Sequence, residues 1–335
     1  MEFTYFIGVD VSKNELDFAV FKQKEYLFHK EIANNKADID IFIKELKKIA
    51  EFDLERAVFC MEHTGIYNNP LLDYLHKKKG NICLENALQI KNSLGNIRGK
   101  NDKIDSKRIG EYAYKNREEL RLWQPKREII QELSYLTAQR NRLIHAKKQL
   151  EQSNNETKEF IKKSLQKKLD KYTQNSIKGI VKDLEAVEKE IKNMIEKDTE
   201  LKRLFGIVSS VKGVGEVTAT QIIIATNEFK DIDDPKKFAC YSGVAPFVKE
   251  SGIFRGRAKV SHMANKNIKT LLHLNALSAI RYDAELKAYY ERKTEIEKKN
   301  KMLVINAVRN KLILRIFACV KQKRKFQNDY QRKAA

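Results

Sequence analysis

Between residues 126 and 201 the chain contains no proline and a single glycine, Gly179, while its apolar residues recur every three or four positions. Ile129, Leu133, Leu136, Leu143 and Leu150 form one series, and Ile177, Ile180, Leu184, Val187, Ile191 and Met194 form a second. That period over that length folds as helix and not as strand. The spacing predicts two long helices with coiled-coil seams and a break near residues 152–157. Arg140 and Lys147 fall on the first seam, so no oligomer is specified. Two readings stand side by side: an intramolecular antiparallel pair serving as a spacer, and a dimerisation arm.

The helical middle divides the 335 residues into three parts, 1–125, 126–202 and 203–335. The first mixes β-rich runs (5–9, 16–21, 56–61 and 81–84) with helical stretches (37–50 and 70–79). Its two leading runs flank Ser12-Lys13-Asn14 and read as a hairpin, which predicts an α/β domain with an antiparallel element. From about residue 205 the pattern is mainly helical. There Lys212, Gly213 and Gly215 lie in a Gly-x-Gly turn between two apolar helices, the form of a helix-hairpin-helix element whose backbone N–H groups hold a nucleic-acid phosphate. A tight turn needing glycine for positive φ explains the same residues.

Charge narrows the class of partner. The chain has 66 Lys and Arg against 45 Asp and Glu, a net charge of +21. Residues 1–125 carry 21 basic and 20 acidic side chains, residues 126–250 carry 24 and 19, and residues 251–335 carry 21 and 6. An excess so concentrated at one end points to a polyanion, nucleic acid before membrane. With 42% hydrophobic residues and 4 prolines, the composition excludes a disordered or collagenous chain. The opening residues lack a basic stretch, no apolar run reaches membrane-spanning length, and Cys60, Cys83, Cys240 and Cys319 form no C-x-x-C pair. A cytoplasmic, nucleoid-associated protein with reduced thiols is expected.

Asp10 ends an apolar run, and Glu62 ends another before His63-Thr64-Gly65. Acids at the ends of two strands of one sheet can converge. Asp102 and Asp105, spaced i, i+3, share one helix face. Four carboxylates of this kind suit one Mg²⁺, or two about 4 Å apart clamping a phosphodiester, with Mn²⁺ as a substitute. Taken alone, Asp102 and Asp105 read as a solvated helix start with Asp102 as N-cap. His63 reads as a surface or packed histidine. In the basic part, Ser251 precedes Gly252 and lies close in sequence to Arg255, Arg257 and Lys259. A serine among guanidinium groups can attack phosphorus while the cations hold the non-bridging oxygens. Ser-Gly is also an ordinary turn dipeptide.

Read together, Gly8-Val9-Asp10-Val11-Ser12-Lys13, Glu62-x-Thr64-Gly65-x-Tyr67, Lys100-Asn101-Asp102-x-x-Asp105, the helical middle, Val211-x-Gly213-Val214-Gly215, Phe238-Ala239-x-x-x-Gly243-x-x-Pro246 and Glu250-Ser251-Gly252 resemble one family. It is that of the insertion-sequence transposases pairing a RuvC-like Asp-Glu-Asp-Asp domain with a C-terminal transposase domain that bears a catalytic serine, the bridge-RNA-guided recombinases. The resemblance runs from about residue 5 to residue 320. It implies an RNase H fold for residues 1–125, a helical coiled-coil linker and a mainly helical transposase domain over 203–335. It implies that Asp10, Glu62, Asp102 and Asp105 bind Mg²⁺ and that Ser251 forms a covalent phosphoserine link to DNA. It further implies a dimer or tetramer with an active site shared between subunits, and a structured non-coding RNA that selects donor and target DNA by pairing. His63 and Ser106 stand where the family usually has a small residue and alanine.

The expectation is thus a transposase exchanging DNA strands through a serine. Two alternatives use the same residues: a RuvC-like nuclease hydrolysing junction DNA with a metal-activated water, and a basic RNA-binding scaffold without catalysis.

Overall fold

The computed structural model describes residues 2–93, 101–157, 159–248, 250–251, 254–256, 258–261 and 264–327, with backbone alone for 153–157, 250, 254–255 and 259. The chain divides into two compact units, residues 1–125 and 126–335.

In the first unit, β1 (Tyr5–Val11), β2 (Glu15–Lys22) and β3 (Glu25–Ala33) form an antiparallel meander. After α1 (Lys36–Leu46) come β4 (Ala57–Glu62), α2 (Asn69–Lys77) and β5 (Asn81–Glu85), then α3 (Ala87–Ser93) and α4 (Asp102–Lys115). The five-stranded sheet has the order β3-β2-β1-β4-β5, with β4 and β5 parallel to β1. β1 therefore sits at the centre, and both its faces are covered. Tyr5, Ile7 and Val9 point to one side and pack with Ile39, Phe42 and Leu46 of α1 and Leu71 and Leu75 of α2. Phe6, with Ala19 and Phe21 of β2, packs on the other side against Ile109, Tyr112 and Ala113 of α4. This mixed sheet with helices on both faces is consistent with an RNase H-like domain.

The expected hairpin is present, turning at Ser12, whose Oγ accepts from the Glu15 N–H at 2.9 Å. The sequence pattern gives no strand over 25–33 and a helix over 37–50. The chain instead turns after Leu46, with Glu51 in the left-handed region at φ 64°.

The second unit opens with α5 (Glu128–Thr157) and α6 (Lys163–Lys197). The chain reverses direction between the two, with residues 159–161 in turn and bend conformation before α6, just beyond the break expected at 152–157. The two helices run antiparallel: Ile130 and Leu133 near the start of α5 share a buried cluster with Ile191, Met194 and Ile195 near the end of α6, and Arg140 donates to Glu188 at 2.7 Å. Arg127, just before α5, ties this end together. Its Nη1 and Nη2 donate to Asp198 at 2.7 and 3.0 Å, and its Nε donates to Glu228 at 3.0 Å. Arg127 holds the Asp198 carboxyl below its usual range. Burial alone would raise that of Glu228, but the hydrogen bonds from Arg127 and Lys230 hold it low as well.

There follow α7 (Thr199–Ser209), α8 (Glu216–Ala225), α9 (Pro235–Tyr241), the two-residue strands β6 (Pro246–Phe247), β7 (Glu250–Ser251), β8 (Phe254–Arg255) and β9 (Lys259–Val260), then α10 (Lys266–Tyr282), α11 (Ala284–Glu291) and α12 (Lys301–Lys321). β6 pairs with β9 and β7 with β8, so this mainly helical unit carries two short antiparallel ladders that the sequence reading did not anticipate. α12 forms the centre of its core, where Val308, Leu312, Ile313 and Ile316 pack with Val208, Ile222, Phe238, Leu272 and Ala276. No helix among the described residues is long and apolar enough to cross a membrane.

Candidate active site

Asp10 is the sixth residue of β1 and faces the α4 side of the sheet, in line with Phe6 and Gly8. α4 lies directly on β1 at Gly8, where any Cβ would overlap the Ser106 carbonyl oxygen and the Gly110 backbone. This contact brings the first turn of α4 over Asp10. Asn101 caps that turn, its Oδ1 accepting from the Lys103 N–H at 3.0 Å. The expectation that Asp102 is the N-cap is thereby corrected: Asn101 has the extended backbone of a cap, at φ −159°, and Asp102 is the first helical residue. Relieved of capping, Asp102 and Asp105 present their carboxylates together on one side of the helix.

Asp10, Asp102 and Asp105 each place a carboxylate oxygen within 4.8 Å of the others. Asp102 is exposed, and the other two are half-buried. Arg108, one turn on, donates to Asp105 Oδ1 at 2.8 Å and fixes its rotamer. Burial, followed by the charges of Asp102, Asp105, Glu62 and Asp17, pushes the Asp10 carboxyl up from 3.8 to about 6. The donor set is wholly carboxylate oxygen, with no histidine or cysteine in the group, and it repels itself in the absence of a cation. These residues fit a hard divalent metal ion.

Glu62 ends β4, the strand beside β1, and bears on Asp10 electrostatically but lies outside the three-carboxylate group. A built turn fixes where its strand ends. Asn68, 1% exposed, donates from Nδ2 to the Glu62 carbonyl oxygen at 2.9 Å and accepts from Thr64 N–H and Oγ1 at 2.8 and 3.0 Å. Gly65, at φ 77°, closes the turn. His63 is exposed, the surface alternative of the two the sequence left open, and its Nδ1 accepts from the Gly65 N–H at 3.3 Å.

One acid of this neighbourhood escaped the sequence reading. Asp17 stands directly opposite Asp10 in the β1–β2 register, is 6% exposed, and accepts from His29 Nε2 at 2.7 Å. An acid inside the apolar run Leu16-Asp17-Phe18-Ala19 was the available signal. Its partner on β3 was not.

The remaining expected residues belong to the second unit. Ser251 is exposed on β7, paired with Phe254 of β8. Arg255 and Lys259 lie on β8 and β9, described by backbone alone, and Arg257, like Lys100 and Gly252, lies outside the described residues. Lys212 and Gly215 are exposed between α7 and α8, and Gly213 takes φ 90° there. The two glycines differ in kind. A Cβ on Gly213 would strike Ala279 at 2.7 Å, whereas one on Gly215 meets nothing within 4 Å.

Comparison with known proteins gives this arrangement a class. The DEDD transposase domain of IS110 elements matches residues 7–166, and a second domain, described as Transposase IS116/IS110/IS902 family, matches residues 206–291. A nuclease-like acidic domain followed by that second domain defines an enzyme that transposes or recombines DNA. The chain belongs to the IS110/IS116/IS902 family of transposases. Among its relatives are the pilin gene-inverting protein of Moraxella bovis, 26% identical over 332 residues that cover 96% of this chain and 97% of that one, and its counterpart in Moraxella lacunata, 25% identical over 329 residues with the same coverage. The uncharacterized 42 kDa protein of insertion element IS900 from Mycobacterium paratuberculosis is 26% identical over 137 residues, 40% of this chain and 34% of that one.

Proposed function

We propose that the protein cleaves and rejoins DNA strands in an Mg²⁺-dependent reaction in which Ser251 is the nucleophile. The observation that carries this reading is the convergence of Asp10, Asp102 and Asp105 within 4.8 Å at the end of a central strand. Asp10, Asp102 and Asp105, with Glu62 beside them, would hold the cation, which when bound neutralises charge building on the phosphate oxygens. Ser251 Oγ forms the new bond to phosphorus as its proton leaves, and the bond from phosphorus to the departing DNA oxygen breaks, that oxygen taking up a proton. A free hydroxyl of the exchange partner then attacks the phosphoserine, which restores the diester and returns the serine.

Strand exchange is favoured over plain hydrolysis because the likeness to the gene-inverting proteins takes in 96% of the chain, including the unit that holds Ser251. We further infer a structured RNA guide that pairs with donor and target DNA, and a homo-oligomer in which the carboxylates and the serine at one phosphodiester come from different subunits, acting in the cytoplasm at the nucleoid. In this reading residues 126–202 are a coiled-coil linker between domains at 1–125 and 203–335. The turn at Lys212, Gly213 and Gly215 acts as a helix-hairpin-helix grip, with Arg255, Arg257 and Lys259 as further phosphate contacts.

The deciding experiment is to trap the protein on its element's end DNA under denaturing conditions. A covalent adduct is expected with the wild type and not with Ser251→Ala. Undiminished cleavage by Ser251→Ala would leave the water-dependent nuclease as the reading, and full recombination by Asp10→Asn would remove the metal site from the mechanism.

A further inference from the structure

Arg309 is on α12, in the heart of the second unit, and only 6% of it is exposed. Its Nη2 lies 2.5 Å from His273 Nδ1, its Nη1 donates to Asn306 Oδ1 at 3.3 Å, and its Nε has no hydrogen-bond partner among the described residues. A guanidinium only donates, so Nδ1 of His273 must accept, which leaves that ring neutral with its proton on Nε2. Burial lowers the affinity of Arg309 for its proton, and no carboxylate among the described residues raises it again. A buried cation without an anion is costly, and buried charges are as a rule paired.

The surroundings say where that charge would enter. Lys269 and His273 are one turn apart on α10, on the same face. A Cβ on Gly243, itself at φ 64°, would lie 3.7 Å from Lys269 Nζ, so this ammonium sits over the turn that follows α9. On the other side Asn306 Nδ2 donates to the Val244 carbonyl oxygen at 2.8 Å. These contacts, with the one-turn spacing of Lys269 and His273, bring Gly243, Lys269, His273, Arg309, Asn306 and Val244 into one neighbourhood. That neighbourhood holds two cations and one neutral imidazole, and among the described residues no acid makes a hydrogen bond or ion pair with Lys269 or Arg309.

We propose that Lys269, His273 and Arg309 form a socket for one backbone phosphate of DNA at the Gly243–Val244 turn, which leads directly into the ladders that carry Ser251. The socket rests on the reading of this unit as one that grips DNA. DNA is the occupant because residues 251–335 carry 21 basic and 6 acidic side chains, and a diester oxyanion carries the negative charge that the buried guanidinium and the half-exposed ammonium lack.

Two variants of the full chain test it: Lys269→Gln, which alters only a half-exposed side chain, and Arg309→Met, which keeps the length and removes the charge. Affinity for a short DNA duplex is measured against salt, and melting temperature is measured with inorganic phosphate at constant ionic strength. Each variant is expected to flatten the salt dependence by about one phosphate contact, a slope change of ~0.9, with equal loss on unrelated sequences. Inorganic phosphate is expected to raise the melting temperature of the wild type and of neither variant. Wild-type slopes in both variants, or equal protection of all three proteins by phosphate, would overturn the socket. A structural strut alone would lower the melting temperature of Arg309→Met and leave its slope untouched. A slope reduced on RNA but not on DNA would overturn DNA as the occupant. Phosphate protection lost in the variants, in a wild-type chain that binds no DNA, would retain the anion socket and overturn the DNA reading, so the two fail separately.

Discussion

Gly8 of β1 and Gly110 of α4 lie backbone to backbone: a Cβ on Gly110 would come within 3.3 Å of the Gly8 nitrogen and 2.5 Å of Phe21 Cε2. The distance between the carboxylates of Asp10 and Asp105 depends on this contact, because it sets how closely the helix lies on the strand. Gly8→Ala meets main chain that cannot rotate away, and it is expected to cost about 3 kcal/mol, the upper end for overpacking. Urea unfolding gives that cost, and the same protein should gain less stability from Mg²⁺ than the wild type does. Wild-type values of both would show that the approach is not what holds the acids together.

The contribution of Asp10 to the pH dependence of the metal-free chain has a definite sign. Asp10 in the folded protein titrates at about 6, above its ordinary 3.8, so folding favours its neutral form. The associated stability is complete below about pH 4 and is lost as pH rises through about 6. Asp10→Asn should flatten the melting temperature between these limits and remove most of the stabilisation that Mg²⁺ gives at neutral pH. A variant that falls with pH as the wild type does would place the titration elsewhere.

Arg127→Ala leaves the Glu228 carboxylate, 1% exposed, with Lys230 as its remaining ion-pair partner. Removing one member of a pair buried on one side typically costs about 3–5 kcal/mol, and a value near the lower end is expected because Lys230 remains. Chemical denaturation measures it. Asp198 and Glu228 both hold their carboxyls low in the folded chain, so their contribution is present above the ordinary carboxyl range and is lost as pH falls from there through the lowered folded values. The variant's deficit should shrink in acid.

Gly213→Ala and Gly215→Ala separate the two readings of their turn. The first combines positive φ with a clash on Ala279 and should lower stability by about 2 kcal/mol. The second has room and an ordinary φ of −86°, so it should lose only the preference for glycine over alanine at the cap of α8, about 0.5–1 kcal/mol. If the turn grips phosphate, Gly215→Ala still weakens DNA binding. Unchanged affinity reduces Gly213 to a structural requirement and removes Gly215 from the interface.

On α6, Leu165, Leu169 and Tyr172 are 48%, 36% and 77% exposed and share one face at i, i+4 and i+7. Replacing all three by glutamate should reduce the mass seen by sedimentation if this arm joins two copies. An unchanged mass would leave the arm as a spacer.

Period and motif made the long helices, four of the five strands of the sheet and the acid cluster legible in the sequence. β3 was not, because Glu25–Ala33 is an edge strand with polar residues on both faces and offers no alternation. The two-residue ladders around Ser251 are too short to have a period. Asp17 and His29 meet only through strand register, and Asn101 took the cap because its side chain could reach the Lys103 N–H. In the sequence Arg309 only interrupts an apolar run, and its burial depends on α10, thirty-odd residues away.

Arg127 and Asp198 stand at the two feet of the α5–α6 hairpin, joined by hydrogen bonds of 2.7 and 3.0 Å. Within the second unit the excursion leaves its root and returns to it at one fixed point, so its length is decoupled from whatever stabilises the root. Matched heptads added to or removed from both helices would move the tip by about 10 Å each and leave the ion pair as it is. The arm is in this sense a ruler with its zero pinned at Arg127, and the reach of the protein can be reset without redesigning the unit from which it projects.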